Sequence, residues 1–262
     1  MIKAAVLGAP ISHSLSPKIH NKAYEILGIT ANYTAIELDQ ESFLDFFRNN
    51  TERDWNGFSL TMPLKEVAFE ICDDVSDIAR QINSANTLYK VEDKWRLTST
   101  DYLAFLNLLQ VGPESKVAII GGGGTARAAA GALNEKITNL DLILRTPDRL
   151  SGMKKAAPRI DIRALDMDAP LENYDLIIQT TPSGAYDGFV PNLNAANGVL
   201  LECLYKPWPT PLAQRYQQLG GNIISGKELL VEQALFQIEF FSGIRFEFAN
   251  MRRELLQHIS TL

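Results

Sequence analysis

Apolar positions along the chain follow two alternating patterns. Short apolar runs end at glycine or proline, and longer stretches between them repeat their apolar residues at helical spacing. Ile2 to Leu7 reads as a buried strand that stops at Gly8-Ala9-Pro10. Pro17 then opens a helix to Leu27, with Gly28 as its stop. Asn32 to Leu38 has strand composition. Gln40 to Asn49 is helical and turns Phe43, Leu44, Phe46 and Phe47 inward. Gly57 to Leu60 is a third strand. Pro63 starts another helix, with Lys65 in its first turn. Residues 86–91 and 94–98 form two strands around Glu92-Asp93. The order strand–helix–strand–helix–strand, closed by a hairpin edge, predicts an α/β arrangement.

The second half is more regular. Tyr102 to Leu109 is a helix that carries the chain onward. Val117 to Ile120 is a short buried strand, followed by glycines and an alanine-rich helix from Thr125 to Leu133. Further strands fall at Leu140–Leu144, Ile160–Leu165, Leu176–Gln179, Val199–Cys203 and Asn222–Ser225. Helical spacers separate several of them, as in a doubly wound parallel sheet. Lys227 to Phe241 and Phe248 to Ile259 read as two closing helices. The fold class is therefore α/β: an N-terminal α/β substrate domain (1–101), a Rossmann-like doubly wound parallel-sheet nucleotide domain (102–226), and C-terminal helices (227–262) that pack back on the substrate domain. A cleft between the domains is expected to hold a substrate against a cofactor.

Composition narrows the function classes. The 262 residues are 46% hydrophobic, enough for one large core or two modest ones. The 25 basic and 31 acidic residues give a net charge of −6, and no basic stripe appears, so nucleic acid is not an expected partner. No apolar stretch approaches the roughly 20 residues of a membrane helix. Cys72 and Cys203 are the only cysteines and form no CxxC pattern. With the initial apolar run cut short by Pro10, the expected setting is reduced and cytoplasmic. Three scattered histidines and two cysteines supply no metal-ligand constellation. His13, between Ser12 and Ser14, reads as a turn residue rather than a proton shuttle. Trp208, between Pro207 and Pro209, reads as a loop plug, and Phe236, Phe240 and Phe241 as core.

The sharpest local signal is Gly121-Gly122-Gly123-Gly124-Thr125-Ala126, between an apolar strand and a helix. Its register fits a GxGxxA dinucleotide turn. Gly121 would permit the tight turn, Gly123 would let backbone approach a pyrophosphate, and Ala126 would let helix and strand pack closely. A purely structural glycine loop is the alternative. After the next strand comes Leu144-Arg145-Thr146-Pro147-Asp148-Arg149. Arg145 and Arg149 could embrace a 2′-phosphate with Thr146 donating a hydrogen bond, which favours NADP. Asp148 could instead hold a ribose or pair with a neighbouring arginine.

Upstream lie two polar clusters. Ser14 and Ser16 sit before the Pro17-led helix, where hydroxyls and free N–H groups could take a carboxylate or could simply cap the turn. Thr61, Lys65, Asn86, Thr87 and Asp101 follow. Taken singly, Lys65 would face solvent and Asp101 would cap the helix at Tyr102. Residue types alone do not choose a substrate.

The ordered motifs do more. Gly8-Ala9-Pro10-Ile11-Ser12-His13-Ser14-Leu15-Ser16-Pro17 with His20, Gly57-Phe58-Ser59-Leu60-Thr61-Met62-Pro63-Leu64-Lys65, Ser84-Ala85-Asn86-Thr87 and Thr100-Asp101 precede the glycine turn. Tyr205-Lys206-Pro207-Trp208-Pro209-Thr210-Pro211-Leu212, Ser225-Gly226 and Leu229-Leu230-Val231-Glu232-Gln233-Ala234 come after it. Over nearly its full length the chain resembles the shikimate dehydrogenase family, most closely its actinobacterial branch.

The resemblance implies reversible NADPH-dependent reduction of 3-dehydroshikimate to shikimate. Lys65 and Asp101 would be the catalytic acid–base pair. Ser14 and Ser16 would bind the carboxylate, and Thr61, Asn86 and Gln233 the ring hydroxyls. Ser59 and Tyr205 would also face substrate. Gly121, Gly122, Gly123, Gly124, Thr125, Ala126, Arg145, Thr146, Arg149, Thr181 and Gly226 would hold NADP. No metal is implied, and both monomers and homodimers fit. Several positions depart from the family pattern. Ser59 replaces an Asn, Ser99 an Asn, Tyr102 and Ala104 glycines, and Leu144 an Asn. Gln179-Thr180-Thr181 replaces Asn-Ala-Thr, and Glu202 an Asp. Most spare the catalytic and carboxylate positions. An NAD-dependent quinate/shikimate dehydrogenase, a homologue acting on another cyclic hydroxy acid, and a nucleotide sensor without turnover remain the competing readings.

Overall fold

The structure is a computed structural model and describes residues 1–49 and 53–260. By its contacts the chain divides into two compact units. The first comprises Met1–Arg80, Ser84–Leu103 and Leu230–Leu262; the second comprises Gln81–Asn83 and Ala104–Leu229.

In the first unit, strands β1 (Ile2–Gly8), β2 (Ala31–Glu37) and β3 (Gly57–Leu60) are parallel, with β1 between the other two. Helices α1 (Ser16–Ile26) and α2 (Gln40–Arg48) make the crossovers. The short α3 (Leu64–Val67) and α4 (Asp77–Ile82) follow β3, and the sequence pattern had not marked α4. Strands β4 (Thr87–Val91) and β5 (Lys94–Thr98) form the expected antiparallel hairpin, giving the order β2-β1-β3-β4-β5. Glu92 and Asp93 turn the hairpin, both with positive φ. Helix α5 (Thr100–Leu108) leads out of this unit.

One face of the sheet packs Ala5, Leu7, Phe58, Leu60 and Leu88 with Phe43 of α2. Of the four inward residues expected on α2, Phe43 is fully buried; Leu44, Phe46 and Phe47 are partly buried at the margin of this core. The other face packs Ala4 and Val6 against Ile19 and Ala23 of α1 and against the C-terminal segment of the chain. That segment contributes Val231, Leu235 and Ile238, then Met251, Leu255 and Ile259. Gly57 marks the closeness of this packing. A β-carbon there would come within 2.1 Å of the Phe241 ring.

The second unit is one parallel sheet. Its strands are β6 (Val117–Ile120), β7 (Asn139–Ile143), β8 (Asp161–Leu165), β9 (Leu176–Gln179), β10 (Val199–Glu202) and β11 (Asn222–Ile224). The order β11-β10-β9-β6-β7-β8 places the first strand centrally with successive strands running outward on both sides. This is the doubly wound Rossmann order, and its switch point lies between β6 and β9. Helices α6 (Gly124–Leu133), α7 (Leu150–Ala156) and α8 (Pro211–Gln218) are its longer connections. Helix α9 (Gly226–Ser242) returns the chain to the first unit, where α10 (Phe248–Ile259) completes the fold. Among the described residues, no helix is long and apolar enough to cross a membrane.

His20 has no solvent exposure and lies stacked on Tyr33, with ring centroids 3.9 Å apart. Its nitrogens make no hydrogen bond of good geometry, and the Gln237 amide is the polar group facing the ring. Burial therefore holds its pKa down to about 3. The unfolded chain takes up this proton near pH 6.5 while the native fold refuses it until about pH 3. The neutral histidine's contribution to stability is thus present above pH 6.5 and is lost as pH falls toward 3. His20→Phe keeps the stacked ring and removes the titration. Denaturant titrations at pH 7 and pH 5 should show that the substitution relieves about 2 kcal/mol of the acid-induced loss. An unchanged loss would show that His20 is protonated in the native fold.

Candidate active site

The first unit brings its polar residues together through one close backbone approach. Gly8 ends β1, and a β-carbon there would lie 2.4 Å from Thr61 Cγ2 and 2.7 Å from the Met62 carbonyl oxygen. Only glycine lets the loop after β1 pass the loop after β3 this closely. The Ala9 N–H donates to the Met62 carbonyl at 3.0 Å, and the Thr61 N–H to the Leu7 carbonyl at 3.0 Å. Ser14 lies on the loop that follows Gly8, and Ser16 at the start of α1. Ser14 is half-buried, and its oxygen accepts from the Ser16 N–H at 3.3 Å. Ser16 is buried at the start of α1.

Lys65 and Asp101 form an ion pair, with Nζ 2.6 Å from Oδ2 and side chains 20% and 12% exposed. The isolated reading of Lys65 as a solvent-facing residue does not hold. Nor does Asp101 cap its helix. Helix α5 begins at Thr100, one residue before Asp101, and the Ser99 hydroxyl accepts the Tyr102 N–H at 3.3 Å. A serine side chain satisfies that N–H, so the carboxylate of Asp101 is left for Lys65 and Asn86.

Asn86 sits at the centre of the cluster. Its Oδ1 accepts the Thr100 N–H at 2.7 Å and the Asp101 N–H at 3.3 Å. A backbone N–H can only donate, so these contacts fix which end of the amide is oxygen. Nδ2 therefore faces the other way and donates to Asp101 Oδ1 at 2.8 Å and to Gln233 Oε1 at 3.2 Å. Gln233, on α9, is anchored in turn by its donation to the Leu230 carbonyl at 2.8 Å. The structure thus gathers Lys65, Asn86, Asp101 and Gln233 into one connected group.

Ser59 is engaged by two side chains. It is 5% exposed; its hydroxyl accepts from Tyr33 and donates to Gln237 Oε1, both at 2.6 Å. Tyr205 belongs to the second unit, half-buried on the loop after β10. Buried Glu202 braces that loop by accepting the Leu204 N–H at 3.1 Å and the Thr210 hydroxyl at 2.8 Å. Burial pushes the Glu202 carboxyl up to about 7. Gly226 packs on the same loop: a β-carbon there would lie 2.5 Å from the Leu204 carbonyl oxygen. Trp208 is 40% exposed, so it does not plug the loop as its flanking prolines suggested. The exposed stretch 206–209 holds it out toward solvent.

The glycine turn of the second unit separates its roles by residue. Gly121 has φ +108, and a β-carbon would meet Thr180 Oγ1 at 2.5 Å and Thr181 Cγ2 at 3.1 Å. Gly122 admits the Arg149 β-carbon, which a Gly122 β-carbon would approach to 2.6 Å. Gly123, the N-cap of α6, has no atom within 4 Å of its missing β-carbon. Gly121 and Gly122 are therefore required by the fold. Gly123 leaves an open cradle at the amino end of a helix, where free N–H groups suit a pyrophosphate. Gly124 and Thr125 occupy the first turn of that helix, half-buried, and Ala126 is fully buried beneath it. Thr181 is held by Gln179, whose Oε1 accepts its N–H at 3.0 Å. Arg145, Thr146 and Arg149 follow β7 and are exposed. Among the described residues no ion pair engages either arginine or Asp148, so surface pairing does not account for them. These residues fit a dinucleotide bearing a 2′-phosphate.

Sequence reasoning missed Tyr33, Thr100 and Gln237, and gave Thr87 no task. Gln237 carried a readable signal: a second glutamine one helical turn after Gln233, within an apolar helix. Among the described residues no group of three His, Cys, Asp or Glu side chains is placed to hold a metal.

Known proteins match this arrangement. Residues 6–88 match the family model described as shikimate dehydrogenase substrate binding domain. A protein of Leptospira interrogans named shikimate dehydrogenase (NADP(+)) is 35% identical, over 91% of this chain and 88% of its own length. The crystal structure of Mycobacterium tuberculosis shikimate dehydrogenase superposes with a TM-score of 0.88 at 32% identity, covering 98% of this chain and 100% of that one. Shikimate 5-dehydrogenase from Thermus thermophilus, solved in complex with NADP(H) and shikimate, gives a TM-score of 0.85 at 26% identity, covering 99% of this chain and 100% of that one. At 35% identity over most of both chains, and with residues 6–88 matching its substrate binding domain, the chain belongs to the shikimate dehydrogenase family.

Proposed function

We infer that the protein catalyses the reversible reduction of 3-dehydroshikimate to shikimate, using NADPH. The observation that carries this reading is the Lys65–Asp101 pair, whose carboxylate is also held by Asn86. When bound, NADPH supplies the hydride that the ketone carbon accepts. Negative charge then grows on the ketone oxygen. Lys65 Nζ donates a proton to that oxygen, while Asp101 Oδ2 keeps the amine aimed and partly neutralised. Oxidation of shikimate reverses these steps: the pair takes the hydroxyl proton as hydride leaves the carbon. The two groups share a hydrogen bond, so proton transfer belongs to the pair rather than to either residue alone.

Ser14 and Ser16 receive the substrate carboxylate beside the N-terminus of α1. Thr61, Asn86 and Gln233 orient the ring. On this reading Ser59 acts through its hydrogen bonds to Tyr33 and Gln237, and Tyr205 contributes from the loop braced by Glu202. The glycine turn, Thr181 and Gly226 hold the dinucleotide, and Arg145, Thr146 and Arg149 read its 2′-phosphate. A cytoplasmic setting agrees with this reaction and with the reduced setting that two cysteines outside any CxxC pattern suggest.

NADPH formation followed at 25 °C with shikimate and NADP tests the reading directly. Wild-type protein should turn over, and Lys65→Ala should lose about 10²- to 10⁴-fold in kcat, the usual worth of a positioned acid–base group. Near-normal turnover in Lys65→Ala would sink the assigned role. Folded wild-type protein that binds nucleotide without turnover would instead mark a sensor. Replacing Arg149 by Ala should raise the KM for NADP about tenfold or more while leaving that for NAD nearly unchanged, because a charge-assisted contact is worth about 1.5–3 kcal/mol. Equal changes for both nucleotides would remove Arg149 from phosphate recognition.

A further inference from the structure

Behind Asn86 lies a run of buried side chains, Tyr33, Ser59, Gln237, Thr87 and Thr100, none more than 5% exposed. Gln237, on α9, has no exposure. Its Nε2 donates to the backbone carbonyl of Asn86 at 3.1 Å and to Thr87 Oγ1 at 2.9 Å. A backbone carbonyl can only accept, so this end of the amide is nitrogen and the other is oxygen. Ser59 must then donate to Oε1, as it does at 2.6 Å, and its oxygen is free to accept the Tyr33 hydroxyl at 2.6 Å. Ser59 and Thr87 are antiparallel partners on β3 and β4, so the single Gln237 side chain bridges both strands.

The direction continues past Thr87. Its hydroxyl lies 2.8 Å from Thr100 Oγ1, with either oxygen as donor, and both hydroxyls reach Asn86 Oδ1, at 3.2 Å from Thr87 and 3.1 Å from Thr100. Asn86 Nδ2 then donates to Asp101. Donation thus runs from Tyr33 through Ser59 to Gln237 Oε1, and from Gln237 Nε2 to Thr87; directly or by way of Thr100 it reaches Asn86 Oδ1, and Asn86 Nδ2 donates to the Asp101 carboxylate. Aligned hydrogen bonds in a buried setting polarise one another and stiffen the whole set. The two ends of the amide order are set by backbone groups, the Asn86 carbonyl and the Thr100 N–H, which cannot reverse their roles.

We propose that Gln237 is a positioning residue for the Lys65–Asp101 pair, clamping Ser59, Thr87 and the Asn86 backbone so that the Asn86 amide holds Asp101 in its working orientation. The proposal rests on the reading of Lys65 and Asp101 as the acid–base pair. It also gives Ser59 a task consistent with its burial: Ser59 links Tyr33 to Gln237 instead of contacting the ring. A residue that merely filled space would affect stability and leave turnover per folded molecule unchanged.

Three variants separate these roles. Gln237→Met keeps length and removes both hydrogen-bonding ends. Thr87→Val removes only a hydroxyl, and Thr87→Ser restores it. Steady-state kinetics with shikimate and NADP should be measured beside a denaturant midpoint for each. Gln237→Met and Thr87→Val should lose between about tenfold and 100-fold in kcat, the scale of a small misplacement transmitted to the chemistry, with the KM for NADP unchanged. Thr87→Ser should stay within about twofold of wild type. If Gln237→Met fails to fold, the Thr87 pair decides: equal kcat for Val and Ser overturns the positioning role. Unchanged kcat in Gln237→Met, with Lys65→Ala inactive, overturns the positioning role and leaves the acid–base reading standing. Full turnover in Lys65→Ala overturns both.

Discussion

Backbone groups have fixed hydrogen-bonding roles, and two of them determine how the substrate unit is built. The Thr100 N–H can only donate, so the Asn86 amide presents its oxygen to the start of α5 and its nitrogen to Asp101. The Asn86 carbonyl can only accept, so the Gln237 amide presents nitrogen there and oxygen to Ser59. From these two constraints follow the orientation of both amides and the donation from Asn86 to one Asp101 oxygen, which leaves the other for Lys65. Burial raises the cost of any broken link, since each unsatisfied group would lose about 1–3 kcal/mol. The site is therefore held by the same hydrogen bonds that hold the sheet to α9.

The C-terminal segment supplies polar contacts as well as packing. Val231, Leu235 and Ile238 close the core over one face of the sheet, while Gln233 and Gln237, one turn apart on the same helix, enter the polar cluster. A helix distant in sequence from Lys65 thus completes the surroundings of Asp101. In the nucleotide unit the division of labour is finer still. Gly121 and Gly122 satisfy the fold, whereas Gly123 leaves open the space beside the helix N-terminus.

Much of this was legible in the sequence where a local rule operates. Strands bounded by glycine or proline, the hairpin at Glu92-Asp93, the parallel second sheet and the last helix follow directly from pattern. The motifs carrying Ser14, Lys65, Asn86 and Asp101 were legible as a family likeness, though no single residue announced its role. What escaped depends on contacts far apart in the chain. Ser59 meets Gln237 across 178 positions, and no periodicity reports such a pairing. Ser99 and not Asp101 accepts the Tyr102 N–H because the helix starts two residues earlier than its apolar pattern, and helix ends are set by single hydrogen bonds. Trp208 was misread because flanking prolines say where a loop bends and not which way its ring points.

The central claim is that Lys65 and Asp101 work as one unit. A double-mutant cycle on kcat/KM for shikimate, using Lys65→Met, Asp101→Asn and the combination, tests it most directly. Groups that act jointly lose their contribution once either is removed, so the double variant should be about as impaired as the worse single variant. Losses that simply multiply would show two independent contributions and contradict the account.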